Sequence, residues 1–333
     1  MALNFSNANQ RFGGKFPEST YQRKPVWADV STDVKDVTVR EAVEKAGLDW
    51  SVALEPVFHK VEETGITRFK EVDGRLAVVR SDTKTAIGVV GSRYTPFQNR
   101  QVAEFLESVV DEGGIVETAG SLHGGRKVWF LVKTPADILI GGQDRYTPYI
   151  LAANGHDGGL ALHISMVTVR VVCTNTLAMA LNSNPREWSV KHTESINGRV
   201  TQAREALDLS FKYSEEFTAA MNAFAAHPMS DGAMVDFSER LIPMGDPNKT
   251  SEEQRENVAK ARLALLATYK ASPTVDRGTA YGALNAATEW YDHLRNADKP
   301  AYGTKKSKES RLEAIFFGAG QTFKDRAVAL LSA

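Results

Sequence analysis

"NGHDGGLALHISMVTVRVVCTNTLAMAL", from Asn154 to Leu181, is the stretch that decides the fold class. It opens in a polar, glycine-bearing turn and continues as an apolar strand. Alternate side chains of a strand share a face, so Val167, Val169, Val171 and Cys173 fall together and Met166, Thr168 and Arg170 fall opposite. Thr174-Asn175-Thr176 then leads into a helix-like run whose Leu177 and Leu181 keep core spacing. Thr174 or Asn175 can cap that helix, and free amides at a helix start carry partial positive charge. Arg170 just upstream makes an anion site with Asn175 and those amides. A second reading has equal standing: an ion pair from Arg170 to an acidic neighbour such as Glu117 or Asp157. Cys173 reads as a small buried hydrophobe.

Working outward, "GIVETAGSLHGGRKVWFLVKTP" is a hairpin turning at His123-Gly124-Gly125. "TPFQNRQVAEFLESVVDEGG" before it is a helix, with Val102, Phe105, Leu106 and Val109 at i, i+3, i+4, i+7 spacing and Asn99 as its cap. Further upstream, "SVALEPVFHK", "RLAVVRSD" and "TAIGVVG" read as strands. The Asp-Gly pair of "EVDGR" supplies a tight turn between the first two. "TVREAVEKAGLDW" is a short helix stopped at Gly47. This order predicts an α+β fold, a mostly antiparallel sheet with helices on one face. From about Ser195 the period becomes helical, giving helices in "GRVTQAREALDLSFKYSEEFTAAMNAFAA", "SEEQRENVAKARLALLATYK", "AYGALNAATEWYDHLR" and "RLEAIFFGAGQTFKDRAVALLS". "KPAYGTKKSKESR" reads as a basic loop. The predicted organisation is an N-terminal arm (1–35), an α+β core (36–190) and a helical region (191–333).

In "HGGRKVWFLVK", Val128, Phe130 and Val132 form one strand face, and Lys127, Trp129, Leu131 and Lys133 the other. An aromatic between two lysines suits single-stranded nucleic acid, the ring stacking on a base and the cations meeting phosphates. The competing reading packs Trp129 under a helix with snorkelling lysines. Arg126 and the two glycines add a fork-shaped donor and backbone amides suited to phosphate. "HDGG" holds the close pair His156 and Asp157. As an acid–base or metal pair it needs distant partners, and turn chemistry alone explains it.

The chain has 333 residues, with 40 Lys plus Arg against 41 Asp plus Glu, so no bulk basicity points to nucleic acid. Residues 81–200 carry eleven of each sign, so any groove there comes from segregated charge. One cysteine forms no intramolecular disulfide, which suits a reducing cytoplasm. Neither a signal peptide nor a membrane span is read, and the common nucleotide-loop, hydrolase and zinc-protease motifs do not occur, so neither cofactor nor metal is expected.

"GVVGSRYTPFQN", "TAGSLHGGRKVWFLVK", "YILAANGHDGGLAL", "VTVRVVCTNTLAMAL" and "GTAYGALNAATEWYDHLR" together resemble the phage/plasmid-like protein family, a domain of unknown function of phages, plasmids and prophages. The resemblance runs from about residue 75 to near the C-terminus and implies a mobile-element setting inside a bacterial cell. The element order is also similar to the core of single-strand annealing proteins, which hold single-stranded DNA in a basic groove of a ring or filament. The reading that follows is a recombination or replication accessory protein that binds single-stranded DNA as a homo-oligomer. Arg126, Lys127, Lys133, Arg170 and Asn175 meet phosphate in it, and Trp129 stacks. Two rivals stand beside it: an enzyme on nucleotides or nucleic acid using His156 and Asp157, and a non-catalytic protein that inhibits a host factor.

Overall fold

A computed structural model of the chain describes residues 24–35, 37–111, 114–134, 136–170, 176–177, 187–190, 209–246, 248–271, 277–297, 299, 301 and 303–333. The elements in order are β1 (Thr32–Asp33), α1 (Val39–Lys45), β2 (Val52–Glu63), β3 (Ile66–Arg80), β4 (Ala86–Gly91) and α2 (Asn99–Asp111). Then come β5 (Ile115–Leu122), β6 (Lys127–Lys133), β7 (Ile138–Ile140), β8 (Asp144–Gly155), β9 (Leu162–Arg170), β10 (Thr176–Leu177) and β11 (Glu187–Val190). The helical half holds α3 (Leu209–Ala226), α4 (Asp231–Leu241), α5 (Glu252–Ala271), α6 (Ala280–Glu289), α7 (Lys305–Phe317) and α8 (Ala319–Leu331). A π-helical turn, Trp290–Leu294, extends α6.

The fold is α+β, as the change of period predicts. Among the described residues one antiparallel sheet of eight strands runs β1-β5-β6-β8-β9-β10, with β7 beside β8 and β11 beside β9. A second sheet runs β2-β3-β4. Helix α1 starts in a capping box, the Thr38 hydroxyl accepting from the Glu41 amide while the Glu41 carboxylate accepts from the Thr38 amide. It ends before Gly47, whose φ of +65° an L side chain rarely adopts. Helix α2 buries Val102, Phe105 and Leu106 and packs with α1 against β5, β6 and β8.

The C-terminal helices close the large sheet. Phe316 and Phe317 of α7 lie edge-on to Trp129 and His163, while α2 contacts β6 and β8 from the other side. Strands β8 and β9 are therefore buried on both faces along almost their whole length. A half-solvated antiparallel sheet would show alternation instead. Buried apolar residues form one continuous core from Val26 to Ala327.

Three local expectations need correction. Where a helix start was expected, Thr176–Leu177 is a strand paired antiparallel with Val169 and Thr168 of β9. The Asp73-Gly74 pair lies inside β3, where the register with β2 jumps between Pro56 and Phe58. The hairpin turn falls at Thr64-Gly65, both at positive φ. Near the C-terminus, part of the expected basic loop is helix, because Thr304 caps α7 by accepting from the Ser307 amide. The apolar run after it is two helices broken at Gly318.

Candidate functional site

On β6 the predicted faces hold, but neither is open. In register, Lys127, Trp129, Leu131 and Lys133 stand opposite Gly155, Ala153, Leu151 and Tyr149 of β8. That face lies under α7 and the segment before β1. Trp129 is fully buried, with Phe316 at 5.7 Å edge-on. A Cβ at Gly120 would stand 2.8 Å from the Val30 carbonyl and 3.2 Å from the Trp129 ring, so only glycine lets this segment close over the indole. The stacking role expected of Trp129 is thus corrected: its ring is core and presents no face to a base. Lys127 is bonded to Glu313 of α7, which His123 Nε2 also meets at 2.7 Å. Lys127 ties the hairpin to α7. Arg126 is exposed, its carbonyl accepting from the His156 amide at 2.8 Å. Lys133 is half-buried.

Arg170 is placed by the strand end and is buried. Its Nε donates to Asp144 Oδ2 at 2.8 Å and its Nη2 lies 2.5 Å from the same oxygen. The guanidinium also sits over the Tyr281 ring at 5.6 Å. The ion-pair reading holds, with a different partner from Glu117 or Asp157. The anion-site reading of Arg170 is corrected: its fork is turned into the protein onto a carboxylate. Tyr281 Oη donates to Asp144 Oδ2 at 2.5 Å, and Tyr146 Oη donates to Asn285 Oδ1 at 2.9 Å. Burial raises both phenols above their ordinary pKa, and the Arg170 charge partly opposes the rise. Asn175 lies outside the described residues.

Alternation also sets Arg170 on the other sheet face from Lys127 and Lys133. Tyr149 of β8 pairs with both Lys133 and Val167, and Arg170 is three residues beyond Val167. One groove cannot collect these cations.

The His156–Asp157 pair is a packing turn. His156 is fully buried, its Nε2 2.8 Å from Asn99 Oδ1 and its ring tilted against Trp50 at 5.2 Å. The Asn99 amide donates to the Leu48 and Trp50 carbonyls, which leaves its oxygen as acceptor and puts the proton on His156 Nε2. Asp157 accepts from the Gly159 amide at 2.9 Å, shaping the turn. Its backbone abuts the small sheet, for a Cβ at Gly88 would lie 2.6 Å from Asp157 Cα. The proposed acid–base roles are corrected accordingly.

Two features were missed in the sequence. The first is a buried clamp around Thr176. Asp292 Oδ2 accepts from the Thr176 amide at 2.8 Å and hydroxyl at 2.9 Å. Lys324 Nζ donates to the Thr176 carbonyl at 2.6 Å and lies 2.7 Å from Asp292 Oδ1. Burial lowers the Lys324 pKa against the pull of Asp292. Tyr281, Asn285 and Asp292 recur at near-helical spacing along α6 and its π turn, a polar stripe that could have been noticed.

The second is the distal β2–β3 ribbon. Among the described residues β4 pairs with Arg75–Val79 alone, and beyond that the ribbon has two strands. Phe58 is 55% exposed and Phe69 70%. Lys60 stands opposite Phe69 and Phe58 opposite Glu71, so Phe58, Lys60 and Phe69 share a face with the two rings diagonal to one another. Lys60 pairs with Glu62 at 2.6 Å, and Lys70 and Arg68 pair with Glu63 on the other face.

Among the described residues no helix is long and apolar enough to cross a membrane. Neither a curated protein nor a solved structure gives a significant match. The family model DUF932, a domain of unknown function, matches residues 86–316. The match begins at β4 and ends in α7, and it takes in the Arg170–Asp144 pair, the His156 turn and the whole of β5 to β11, so the chain belongs to the DUF932 family.

Proposed function

We propose that this protein binds single-stranded DNA on the β2–β3 ribbon, as a homo-oligomeric accessory of recombination or replication in a phage- or plasmid-related setting. The observation that carries the reading is the pair of exposed rings, Phe58 and Phe69, on one face with Lys60 between them. Large exposed aromatics on a projecting two-stranded ribbon are not explained by the fold. Bases stack on such rings regardless of sequence, each for about 1–3 kcal/mol. The ribbon replaces Trp129 as the stacking element. Its cations Lys60, Arg68 and Lys70 are matched by Glu62, Glu63 and Glu71, so stacking supplies most of the affinity.

The test is binding of a fluorescent oligothymidine to wild type and to Phe58→Ala, Phe69→Ala and the double variant. Each single variant is expected to lose about 1–3 kcal/mol with an unchanged melting temperature. The slope of log affinity against log salt is expected to be shallow, near −0.7 for a single phosphate contact. Wild-type affinity in the folded double variant would refute the reading.

A further inference from the structure

The structure points to a second copy of this chain as the partner of the free β2 edge. Among the described residues β2 pairs with β3 alone; the Gln98 side chain bonds the amide and carbonyl of Val52, and the outer edge beyond it, Ala53 to Glu63, meets no other strand. An open edge of this length is a template for another strand. A two-stranded ribbon with exposed Phe58, Ile66 and Phe69 is also poorly stabilised by itself.

The partner's chemistry follows from the charge order. From His59 to Glu63 the edge reads His-Lys-Val-Glu-Glu, with Lys60 toward one end and the two carboxylates at the other. An edge carrying one sign of charge repels its own copy. This edge is neutralised by its own sequence run antiparallel and centred on Val61. Lys60 then faces the second copy's Glu62, His59 faces its Glu63, and the two-fold axis repeats each pair.

Backbone geometry selects the same register. The two-residue Thr64-Gly65 turn makes Glu63–Ile66 the hydrogen-bonded closing pair. Alternation from there turns the amides and carbonyls of Glu62 and Lys60 outward and those of Val61 inward. Pairing centred on Val61 joins outward groups to outward groups. A shift of one residue opposes outward to inward groups, and shifts of two put Lys60 on Lys60 or Glu62 on Glu62. Pro56, which has no amide proton, sits in β2 just before the run and closes the pairing there.

The dimer so formed has a four-stranded sheet, β3-β2 continued by the second copy's β2-β3. Residues 60 and 62 share a face, so Phe58 and Phe69 of both copies come to one side. This extends the nucleic-acid reading to a platform of four rings, while the pairing itself does not rest on that reading.

Sedimentation equilibrium of the full chain without nucleic acid tests it, using Lys60→Glu, Glu62→Lys and the double exchange. These side chains are exposed, and their cross-strand partners Phe69 and Thr67 are uncharged, so folding is preserved. Wild type is expected to dimerise in the micromolar range. Each single variant sets like charges opposite one another twice and should raise the dissociation constant about tenfold or more. The double exchange restores every pair and should return it to near the wild-type value. A monomeric wild type, single variants that dimerise normally, or a double exchange that stays weak would each overturn the pairing. Phe58→Ala/Phe69→Ala separates the two claims, since it should keep the dimer and lose oligonucleotide binding.

Discussion

Arg170 and Asp144 lie at the far end of the β8–β9 ladder, one turned onto the other, both buried, with Tyr281 of α6 donating into the same carboxylate oxygen. Removing one member of such a pair leaves a charge with neither water nor counter-ion. Arg170→Ala is expected to cost about 3–5 kcal/mol in urea unfolding. Arg170→Lys should cost less, because the charge stays and only the second donor is lost. Arg170→Met with Asp144→Leu should recover most of the loss. Wild-type stability for Arg170→Ala would mean that the pair holds nothing.

Trp129 gives a second prediction. Its indole fills the space between β6, Phe316 and the chain around Val30. Trp129→Ala should destabilise by about 3–5 kcal/mol, a cavity effect. Affinity for oligothymidine, measured on the folded fraction, should stay at wild type. A stable variant with weakened binding would put the stacking site back on β6.

Gly88 and Asp157 provide the third. The small sheet meets the β8–β9 turn at this point, and a methyl group at position 88 has no room against the Asp157 backbone. Gly88→Ala should therefore cost about 1–3 kcal/mol, as overpacking does. Gly91→Ala, where a Cβ would meet nothing, is the control and should change little.

The fourth concerns acid. Burial raises the Glu313 pKa, but hydrogen bonds from Lys127 and His123 outweigh it and hold the carboxyl below its ordinary 4.5. A carboxylate with a lowered folded-state pKa gives stability that is present above its unfolded value and lost as pH falls through the folded one. Glu313→Gln should melt below wild type at neutral pH, and the gap should close as pH drops below about 4.5. A gap that persists to strongly acidic pH would show that Glu313 contributes shape and not charge.

Alternation in the sequence located β5, β6, β8 and β9 and put Val128, Phe130 and Val132 together on one face of β6. What it could not locate was the cover on the second face. Period two says which residues share a side and nothing about what lies over it. Trp129 and Arg170 each kept an accessible and a packed reading side by side for that reason. Phe316, which covers the first, comes 187 positions later, since 316 − 129 = 187. The stripe of Tyr281, Asn285 and Asp292 is visible in the sequence, but its partners Asp144 and Thr176 could not be located on the same ground. The ribbon was misread differently. Asp-Gly is the stronger turn signal, yet the chain turns at Thr64-Gly65, where a β-branched residue takes positive φ. The break at Gly318 was hidden because the apolar spacing runs on through it.

The clamp on Thr176 also orders events in time. Lys324 and Thr176 are 148 residues apart in sequence. At synthesis rates of about 5–20 residues per second, the strand carrying Thr176 waits many seconds before its lysine exists. Meanwhile Asp292 has also yet to be made, and the β8–β9 ladder has one face without its helices. Nascent chains should therefore depend on something that shields apolar strand surface, and emergence of the segment carrying Lys324, more than formation of the first hairpins, should mark the point at which this fold becomes resistant to protease.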